Sequence, residues 1–315
     1  MVNYRVMGRT RLPDTGSTLW PSERMIDHMN TLIILGAGQF GKKAAGLLRQ
    51  EKIHLLAFGD NNSSLWGTRL SGIPVMSIEQ AVGLEADLAL IGVTDHERTN
   101  ALKSQAEACG FRGRFLLLEE LYQFFDIRSA TLHFMAKRLE ECRTAGAIAE
   151  LGVYKGDTAW KLNALFPQRT LYLFDTFQGF DTRDISVEES RSFSKAATGD
   201  FSDTSEETVL SRLPFPEKAV IRKGFFPDTA DGLEKEHFAL VSLDADLYAP
   251  ILAGLEFFYP RLSPGGMILL HDYNNSRFRG AHEAVDSYEA RHGGLPLVPL
   301  CDLHGSAVII RPYQL

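Results

Sequence analysis

The stretch AIAELGVYKGDTAWKLNALF, residues 147–166, predicts a β-strand, a glycine-containing turn and an α-helix in immediate succession. Apolar residues lead up to Glu150, and the turn lies between Gly152 and Gly156. A second apolar run, LYLFD, ends at Asp175. Strands that alternate with helices in this way indicate a parallel α/β sheet of the nucleotide-binding type.

The spacing of the glycines indicates which cofactor the turn accepts. E-x-G-x-x-x-G has one glycine fewer than the turn that binds the pyrophosphate of a dinucleotide. A cofactor with an adenosine and no phosphate fits better, and S-adenosylmethionine is such a cofactor. We expect Glu150, Gly152 and Gly156 to surround its amino acid portion, and Asp175 to accept hydrogen bonds from both ribose hydroxyls.

Further segments match the pattern of one known family. They are ELGVYKG (150–156), LFDTFQGFD (173–181), FSDTS (201–205), KGFFPDT (223–229), LDADLYAPILAGLEFFYPRLSPGGMILLHDY (243–273) and GAHEAVDSY (280–288). On these segments, residues from about 130 to 312 resemble the macrocin O-methyltransferase (TylF/MycF-type) family of sugar O-methyltransferases. The resemblance implies a seven-stranded methyltransferase sheet, S-adenosylmethionine as donor, a divalent metal usually taken as magnesium, and a sugar hydroxyl as acceptor.

Two strand ends carry the residues that such a metal needs. FALVSLD ends at Asp244, and MILLHD places His271 and Asp272 at the end of another strand. Neighbouring parallel strands bring these ends to one rim, where α/β sheets bind ligands. Oxygen ligands suit magnesium, which retains water molecules that substrate hydroxyls can replace. We therefore predict a metal site at Asp244, His271 and Asp272, while Asp246 either contacts the acceptor or metal or bonds to backbone.

His271 departs from the family pattern, which has Asp-Asp-Tyr where this chain has His271-Asp272-Tyr273. Imidazole is a poor ligand for magnesium and a good one for manganese, iron or zinc, so the metal is predicted as magnesium or manganese. Three roles for His271 remain open: metal ligand, general base near neutral pH, or a residue that orients a ligand. Asp244 and His271 are the candidate catalytic residues, whereas His282 is predicted to lie on the surface.

A second glycine-rich turn lies near the amino terminus, where TLIIL precedes Gly36, Gly38 and Gly41. These glycines would allow a tight turn, the approach of a phosphate and close packing of the next helix, and Asp60 could bind ribose hydroxyls. FGDNNSSLWGTRLSGIPVMSIEQA resembles the small Rossmann-like domain that binds a nucleotide-sugar in sugar-modifying enzymes. A nucleotide or nucleotide-sugar, a nicotinamide cofactor and a purely structural role all remain open.

Chain length and pattern predict two α/β domains, because 315 residues with 44% hydrophobic content can bury two cores. We predict a flexible tail over residues 1–29 with the true start at Met25 or Met29. A small Rossmann-like domain with a parallel sheet follows over 30–114, then a helical connector over 115–145 and a class I methyltransferase domain over 146–315. An aromatic stripe in the connector is expected to pack between domains or between subunits of a homo-oligomer: Tyr122, Phe124, Phe125 and Phe134.

Charge and cysteine content exclude other classes of protein. A net charge of -7 argues against nucleic acid as a partner. The three cysteines are widely spaced without a CxxC pattern, which disfavours a disulfide framework and a zinc site and indicates a reducing compartment. No apolar run approaches the roughly 20 residues of a membrane span. The sequence therefore predicts a cytoplasmic protein.

The favoured function is an S-adenosylmethionine-dependent, metal-assisted O-methyltransferase that acts on a sugar hydroxyl. The acceptor would be a nucleotide-sugar, a glycan or a glycosylated metabolite. One alternative is a non-catalytic nucleotide- or sugar-binding protein with the same fold. The other is a nicotinamide-dependent oxidoreductase, for which the sequence offers no evident hydride-transfer residue.

Overall fold

The computed structural model describes residues 30–49, 51–124 and 126–313. The predicted tail over 1–29, including both proposed start sites, and Phe125 lie outside the described residues. Two α/β units follow one another along the described part of the chain, each with its own sheet.

The first sheet is a six-stranded sheet with the order β3-β4-β2-β1-β5-β6. Its strands are β1 (Asn30–Leu35), β2 (Ile53–Gly59), β3 (Arg69–Leu70), β4 (Ile73–Met76), β5 (Leu88–Ile91) and β6 (Arg114–Leu117), and its helices are α1 (Gln39–Leu47), α2 (Ile78–Val82) and α3 (His96–Ala108). All neighbouring strands are parallel except β3, which is antiparallel to β4. The predicted parallel sheet is confirmed apart from this edge hairpin.

The connector is shorter than predicted. Residues 115–117, which we assigned to it, instead belong to β6, whose apolar side chains complete the edge of the first sheet beside β5. Two helices then follow, α4 (Leu118–Phe124) and α5 (Ile127–Glu141). Phe124 and Phe134 are 79% and 73% exposed, so within the chain only Tyr122 of the described aromatic stripe packs between the units.

The second sheet has seven strands in the order β12-β13-β11-β10-β7-β8-β9, as predicted. The strands are β7 (Ala147–Leu151), β8 (Leu171–Asp175), β9 (Ala219–Lys223), β10 (Phe238–Leu243), β11 (Leu262–Leu270), β12 (Leu297–Pro299) and β13 (Ala307–Ile310). The helices are α6 (Asp157–Leu165), α7 (Thr182–Arg191), α8 (Glu206–Arg212), α9 (Tyr248–Phe258) and α10 (Arg279–His292). The strands from β11 to β9 pair in parallel, and the β12–β13 hairpin continues the sheet antiparallel to β11.

The position of the site follows from this strand order. The central strand β7 lies between β8, which comes next in the chain, and β10. The helix α6, which follows β7, and the helix α9, which follows β10, pack on opposite faces of the sheet. This arrangement leaves a crevice at the carboxyl ends of the strands, where ligands of such sheets bind. Apolar residues of α9 and α10 cover one face of the sheet, and those of α5 and α6 cover the other.

The loop between β12 and β13 joins the two units. Leu303 at its tip packs into the apolar core of the first sheet. Lys43 Nζ of α1 donates a hydrogen bond of 2.9 Å to the Leu303 carbonyl oxygen. Gln39 Oε1, at the start of α1, accepts bonds of 3.0 Å from both the backbone N–H and the hydroxyl of Ser276. The amino end of α1 therefore lies beside the carboxyl end of β11.

Among the residues described, none of the helices combines the length and apolar character needed to cross a membrane.

Candidate active site

A cavity of about 450 Å³ lies at the carboxyl ends of β7, β8, β10 and β11. It brings together nearly all site residues that the sequence predicted for the second unit: Glu150, Gly152, Asp175, Asp244, His271 and Asp272. Gly156 lies directly before α6 with a φ of +81° and does not line the cavity. One wall is formed by Gln39 and Phe40 of the first unit.

The glycine turn packs directly against the end of β10. Gly152 has a φ of +87°, and a Cβ atom built on it would lie 2.1 Å from the backbone oxygen of Asp244. Only a residue without a side chain permits this conformation together with this approach. The turn that we predict to bind the cofactor therefore touches the strand end that carries the predicted metal ligand.

Asp175 holds the glycine turn in place. Its Oδ2 atom accepts hydrogen bonds from the backbone N–H groups of Val153 (2.7 Å) and Tyr154 (2.9 Å), and its Oδ1 atom accepts one from Phe177 (2.7 Å). A carboxylate offers about four acceptor positions. One position therefore remains for a ribose hydroxyl, rather than the two that the prediction for Asp175 assumed.

Glu150 is a buried acid with an unused oxygen atom. Its side chain is 1% exposed, and within the described chain Oε2 has no hydrogen-bond partner. Burial, followed by the nearby charge of Asp244, raises the pKa of Glu150 well above its ordinary value, and Arg128 only partly opposes this. An unpaired buried oxygen costs about 1 to 3 kcal/mol, which a hydrogen-bond donor on a bound ligand would recover.

Four acidic or imidazole side chains meet at the ends of β10 and β11. The Nδ1 atom of His271 lies 2.7 Å from Asp244 Oδ1 and 3.1 Å from Asp272 Oδ2. One ligand atom from each of these residues and from Asp246 lies within 4.8 Å of the other three. Asp246 and Asp272 both adopt a φ of +57°, a conformation that is uncommon outside glycine and is concentrated at functional sites.

The orientation of His271 fits a bound cation. Although two carboxylate oxygens lie at hydrogen-bonding distance, buried Nδ1 makes no correctly angled hydrogen bond to any described residue. The imidazole nitrogen thus lies close to several carboxylate oxygens without forming a well-angled hydrogen bond to them. Such a group is a suitable ligand set for a divalent metal. The mixture of imidazole and carboxylates suits manganese better than magnesium.

Ion pairs balance the charges of the cluster. Arg128 Nη1 donates a hydrogen bond of 2.7 Å to Asp244 Oδ2. Burial opposes ionisation of Asp244, but the charges of His271 and Arg128 outweigh burial and hold the pKa of Asp244 below its ordinary value. Burial likewise disfavours the charged form of His271, yet the Asp244 and Asp272 carboxylates raise the pKa of His271 to about 10. A metal that binds Nδ1 must therefore displace a proton.

Arg128 and His304 also belong to the site, although the sequence pattern does not predict them. Arg128 lies in the first turn of α5, within the connector, where nothing in the pattern marks it as part of a site. His304 lies in the loop between β12 and β13, with its ring centroid 5.1 Å from that of His271. The Tyr122 hydroxyl bonds to His304 Nε2, and burial, with the charge of His271, lowers the pKa of His304. His304 also forms a compact group of potential ligands with His271 and Asp272.

The predicted nucleotide residues of the first unit lie at the turn between β1 and α1. Gly36 has a φ of +104°, Gly41 packs against the Gly36 oxygen, and the space around Gly38 is open. Asp60 Oδ2 accepts a hydrogen bond of 2.6 Å from the backbone N–H of Ala37, and Oδ1 accepts one of 2.7 Å from Asn62. These residues do not line the cavity, so a nucleotide at this turn stays a prediction.

The sequence model of one family, described as Macrocin-O-methyltransferase (TylF), matches residues 126–311. The chain belongs to this family. The macrocin O-methyltransferase match begins close to the start of α5, so the first sheet, α1 and α4 lie outside it. The sequence-based assignment to this family is confirmed.

Individual relatives match parts of the chain. The Mycinamicin III 3''-O-methyltransferase of Micromonospora griseorubida is 29% identical over 160 residues, which cover 47% of this chain and 62% of the relative. The 8-demethyl-8-(2,3-dimethoxy-alpha-L-rhamnosyl)-tetracenomycin-C 4'-O-methyltransferase of Streptomyces olivaceus is 36% identical over 88 residues, 28% of this chain and 32% of the relative. The chain thus spans less than two thirds of either relative. Among solved structures, the O-methyltransferase NovP matches with a TM-score of 0.49 and 21% identity, over 59% of this chain and 79% of that one.

Proposed function

We propose that the chain is an S-adenosylmethionine-dependent O-methyltransferase that methylates a sugar hydroxyl of a glycosylated metabolite, nucleotide-sugar or glycan. One observation carries the proposal. A single cavity joins the glycine turn, with its unused Glu150 oxygen, to the cluster of Asp244, His271 and Asp272. The name of the Streptomyces olivaceus relative, which specifies a rhamnosyl group and a 4'-O-methyltransferase, supports a sugar as acceptor.

The donor would lie along the ends of β7 and β8. Glu150 Oε2 would accept a hydrogen bond from the ammonium group of the methionine portion, which needs an anionic partner when buried. The part of the cavity that Gly152 lines would admit the amino acid portion, and the remaining acceptor position of Asp175 would take a ribose hydroxyl. This arrangement would direct the methyl group towards β10 and β11.

Methyl transfer requires an acceptor oxygen in line with the sulfur–methyl bond and loss of the hydroxyl proton. The methyl carbon leaves sulfur as it bonds to oxygen, and the products are a methyl ether, S-adenosylhomocysteine and a proton. Asp244, His271 and Asp272 would hold a magnesium or manganese ion. When bound, such an ion lowers the pKa of a coordinated hydroxyl. Arg128 keeps Asp244 ionised and fixed in direction for this task.

The test is mass spectrometry of the protein incubated with S-adenosylmethionine, magnesium or manganese, and extracts of nucleotide-sugars and glycosides. The expected result is an acceptor that gains one methylene unit, and no such product with the Asp244→Asn protein. Calorimetry with S-adenosylhomocysteine provides a separate measurement of the donor site. Absence of donor binding would contradict the proposal, whereas donor binding without turnover on any extract would favour the non-catalytic alternative.

A further inference from the structure

A second cavity, of about 560 Å³, lies where the two α/β units meet. We call it the seam cavity. Its wall is formed by the end of α1, by α4, by the start of α5, by the end of β11 and by the loop between β12 and β13. Its volume is in the range of pockets that bind small organic molecules.

The seam cavity adjoins the candidate active site. Arg128, His271 and His304 line both cavities. Arg128 bonds to Asp244, and His271 lies among the predicted metal ligands. A molecule in the seam cavity can therefore contact the same three side chains as a ligand in the active-site cavity.

The outer part of the seam cavity is apolar and open to solvent. Leu47 of α1 and Leu121 of α4 are 48% and 49% exposed, and Tyr122 beside them is 39% exposed. Clustered exposure of large apolar side chains around a cavity marks a binding surface rather than ordinary surface variation.

The two carboxylates in the wall are already engaged. Asp302 accepts hydrogen bonds from the backbone N–H groups of Gly305 and Ser306 and from the Ser306 hydroxyl. Asp126 accepts bonds from Ser129 and from Lys161 Nζ. The seam cavity thus offers mainly apolar surface to a ligand. Arg128 and His304, although bonded to Asp244 and Tyr122, are with His271 the polar residues that it shares with the active-site cavity.

This division of the wall matches the two parts of a glycoside. We propose that the seam cavity binds the apolar, non-sugar portion of a glycoside acceptor, while its sugar ring lies at Arg128, His271 and His304. The proposal rests on the proposed function and specifies its acceptor class. Three leucines of the apolar wall, Leu47, Leu118 and Leu121, precede residue 126 and lie outside the macrocin O-methyltransferase match, whereas Ile127 and Leu303 lie within it. The amino-terminal unit accordingly contributes acceptor specificity through an apolar wall.

The test compares two glycosides of one sugar, 4-nitrophenyl α-L-rhamnopyranoside and methyl α-L-rhamnopyranoside. Their affinities are measured by ligand-observed NMR with protein saturated with S-adenosylhomocysteine and magnesium, which is diamagnetic and leaves the ligand signals sharp. Burial of the aromatic ring should strengthen binding of the nitrophenyl glycoside by roughly tenfold or more. Leu121→Asp in α4, or Leu47→Asp in α1, should remove this advantage, because each places a charge in the apolar part of the wall.

Leu84→Asp is the matched control, since Leu84 is 43% exposed and lines neither cavity. It should preserve the advantage of the nitrophenyl glycoside. Equal affinities, no binding of either glycoside, or an advantage that survives both seam variants would overturn the proposal. So would a concentration-dependent dimer in sedimentation that Leu121→Asp dissociates, since the leucines would then cover a second copy of the chain. Affinity for S-adenosylhomocysteine is recorded for every protein, and its absence in the unaltered protein would count against the proposed function instead.

Discussion

His271 is the residue on which the identity of the metal depends. It contributes the only nitrogen to the described group that also contains Asp244, Asp246 and Asp272. Changing His271 to Asp exchanges a borderline nitrogen for a hard oxygen, so the ratio of magnesium to manganese affinity should rise. The measurement is calorimetric titration of both proteins with each metal, together with the rate at saturating metal.

The same substitution separates the other roles of His271. If His271 is the general base, the rate should fall by about 100-fold or more with both metals alike, while relative metal affinity stays constant. An unchanged metal preference and an unchanged rate would rule out both roles and leave His271 as an orienting residue.

Glu150 allows a sharper test of donor binding. Glu150→Gln retains the shape of the side chain but removes its charge, so the affinity for S-adenosylmethionine should fall by about 1 to 2 kcal/mol. Without donor, the Glu150→Gln protein should melt at the same temperature as the unaltered protein or higher. The substitution removes a buried carboxyl group whose Oε2 atom has no hydrogen-bond partner among the described residues.

Glu188→Gln is the control for Glu150→Gln. Glu188 is also 1% exposed, and its Oε2 atom has no partner among the residues that the structure describes, but it does not line the active-site cavity. Calorimetry should show unchanged donor affinity for this variant. Equal losses in the two variants would mean that Glu150 acts only through general stability.

At the residue scale, the sequence predicted the groups that stand at strand ends and missed those that arrive from elsewhere. Asp175, Asp244 and Asp272 follow apolar runs, and parallel strands must end at one rim. Arg128 and His304 reach the site from a helix and a hairpin loop. Their positions depend on packing between distant segments, which leaves no local pattern.

At the scale of single elements, the turn between β7 and α6 is limited by its contact with β10. Gly152→Ala combines an unfavourable positive φ with a Cβ atom 2.1 Å from the Asp244 oxygen. We expect a loss of about 3 kcal/mol or more in the free energy of unfolding, as for other severe steric conflicts. Donor affinity should fall as well, because the turn must move. Chemical denaturation and calorimetry provide the two measurements.

Gly110→Ala separates the two causes. Gly110 has a φ of +97°, yet among the described residues no atom beyond its chain neighbours lies within 4 Å of a Cβ built on it. Gly110→Ala should therefore lower the free energy of unfolding by only about 1 to 2 kcal/mol, which is the cost of a positive φ for alanine. If Gly152→Ala costs no more than Gly110→Ala, the contact with β10 is not tight in solution.

The boundaries of elements show where pattern alone was insufficient. The apolar run around Phe115 continued directly into helical spacing, so residues 115–117 were assigned to the connector. Pairing with β5 decides otherwise, because hydrogen bonds to a neighbouring strand outweigh local preference. The strands β7, β8, β10 and β11 were predictable because each is a largely buried apolar run with a polar residue at its carboxyl end or one position away from it.

At the scale of the whole molecule, Leu303 connects the two units. Leu303 is 8% exposed and belongs to the core of the first sheet, although in the chain it follows β12 of the second sheet. Leu303→Ala should therefore lower the free energy of unfolding by about 2 to 4 kcal/mol. It should also weaken acceptor binding and leave donor affinity unchanged, since Leu303 lines the seam cavity but not the active-site cavity.

Val298→Ala provides the control for Leu303→Ala, because Val298 lies in the same hairpin and is 57% exposed. Its stability in chemical denaturation should stay close to that of the unaltered protein. A Leu303 variant with full stability would show that the units do not share a core in solution. The union of the two sheets could not be predicted from the sequence, because contacts such as that between Lys43 and Leu303 join segments 260 positions apart.

The contact between Gly152 and the Asp244 backbone also bears on the order in which ligands load. The two strand ends are further joined by a hydrogen bond of 2.9 Å from the Asp244 N–H to the Leu151 carbonyl oxygen. A donor that fixes the glycine turn also restricts the strand end that carries Asp244, and a cation there restricts the turn. The two affinities are then thermodynamically linked, and each ligand must strengthen or weaken the binding of the other by the same factor.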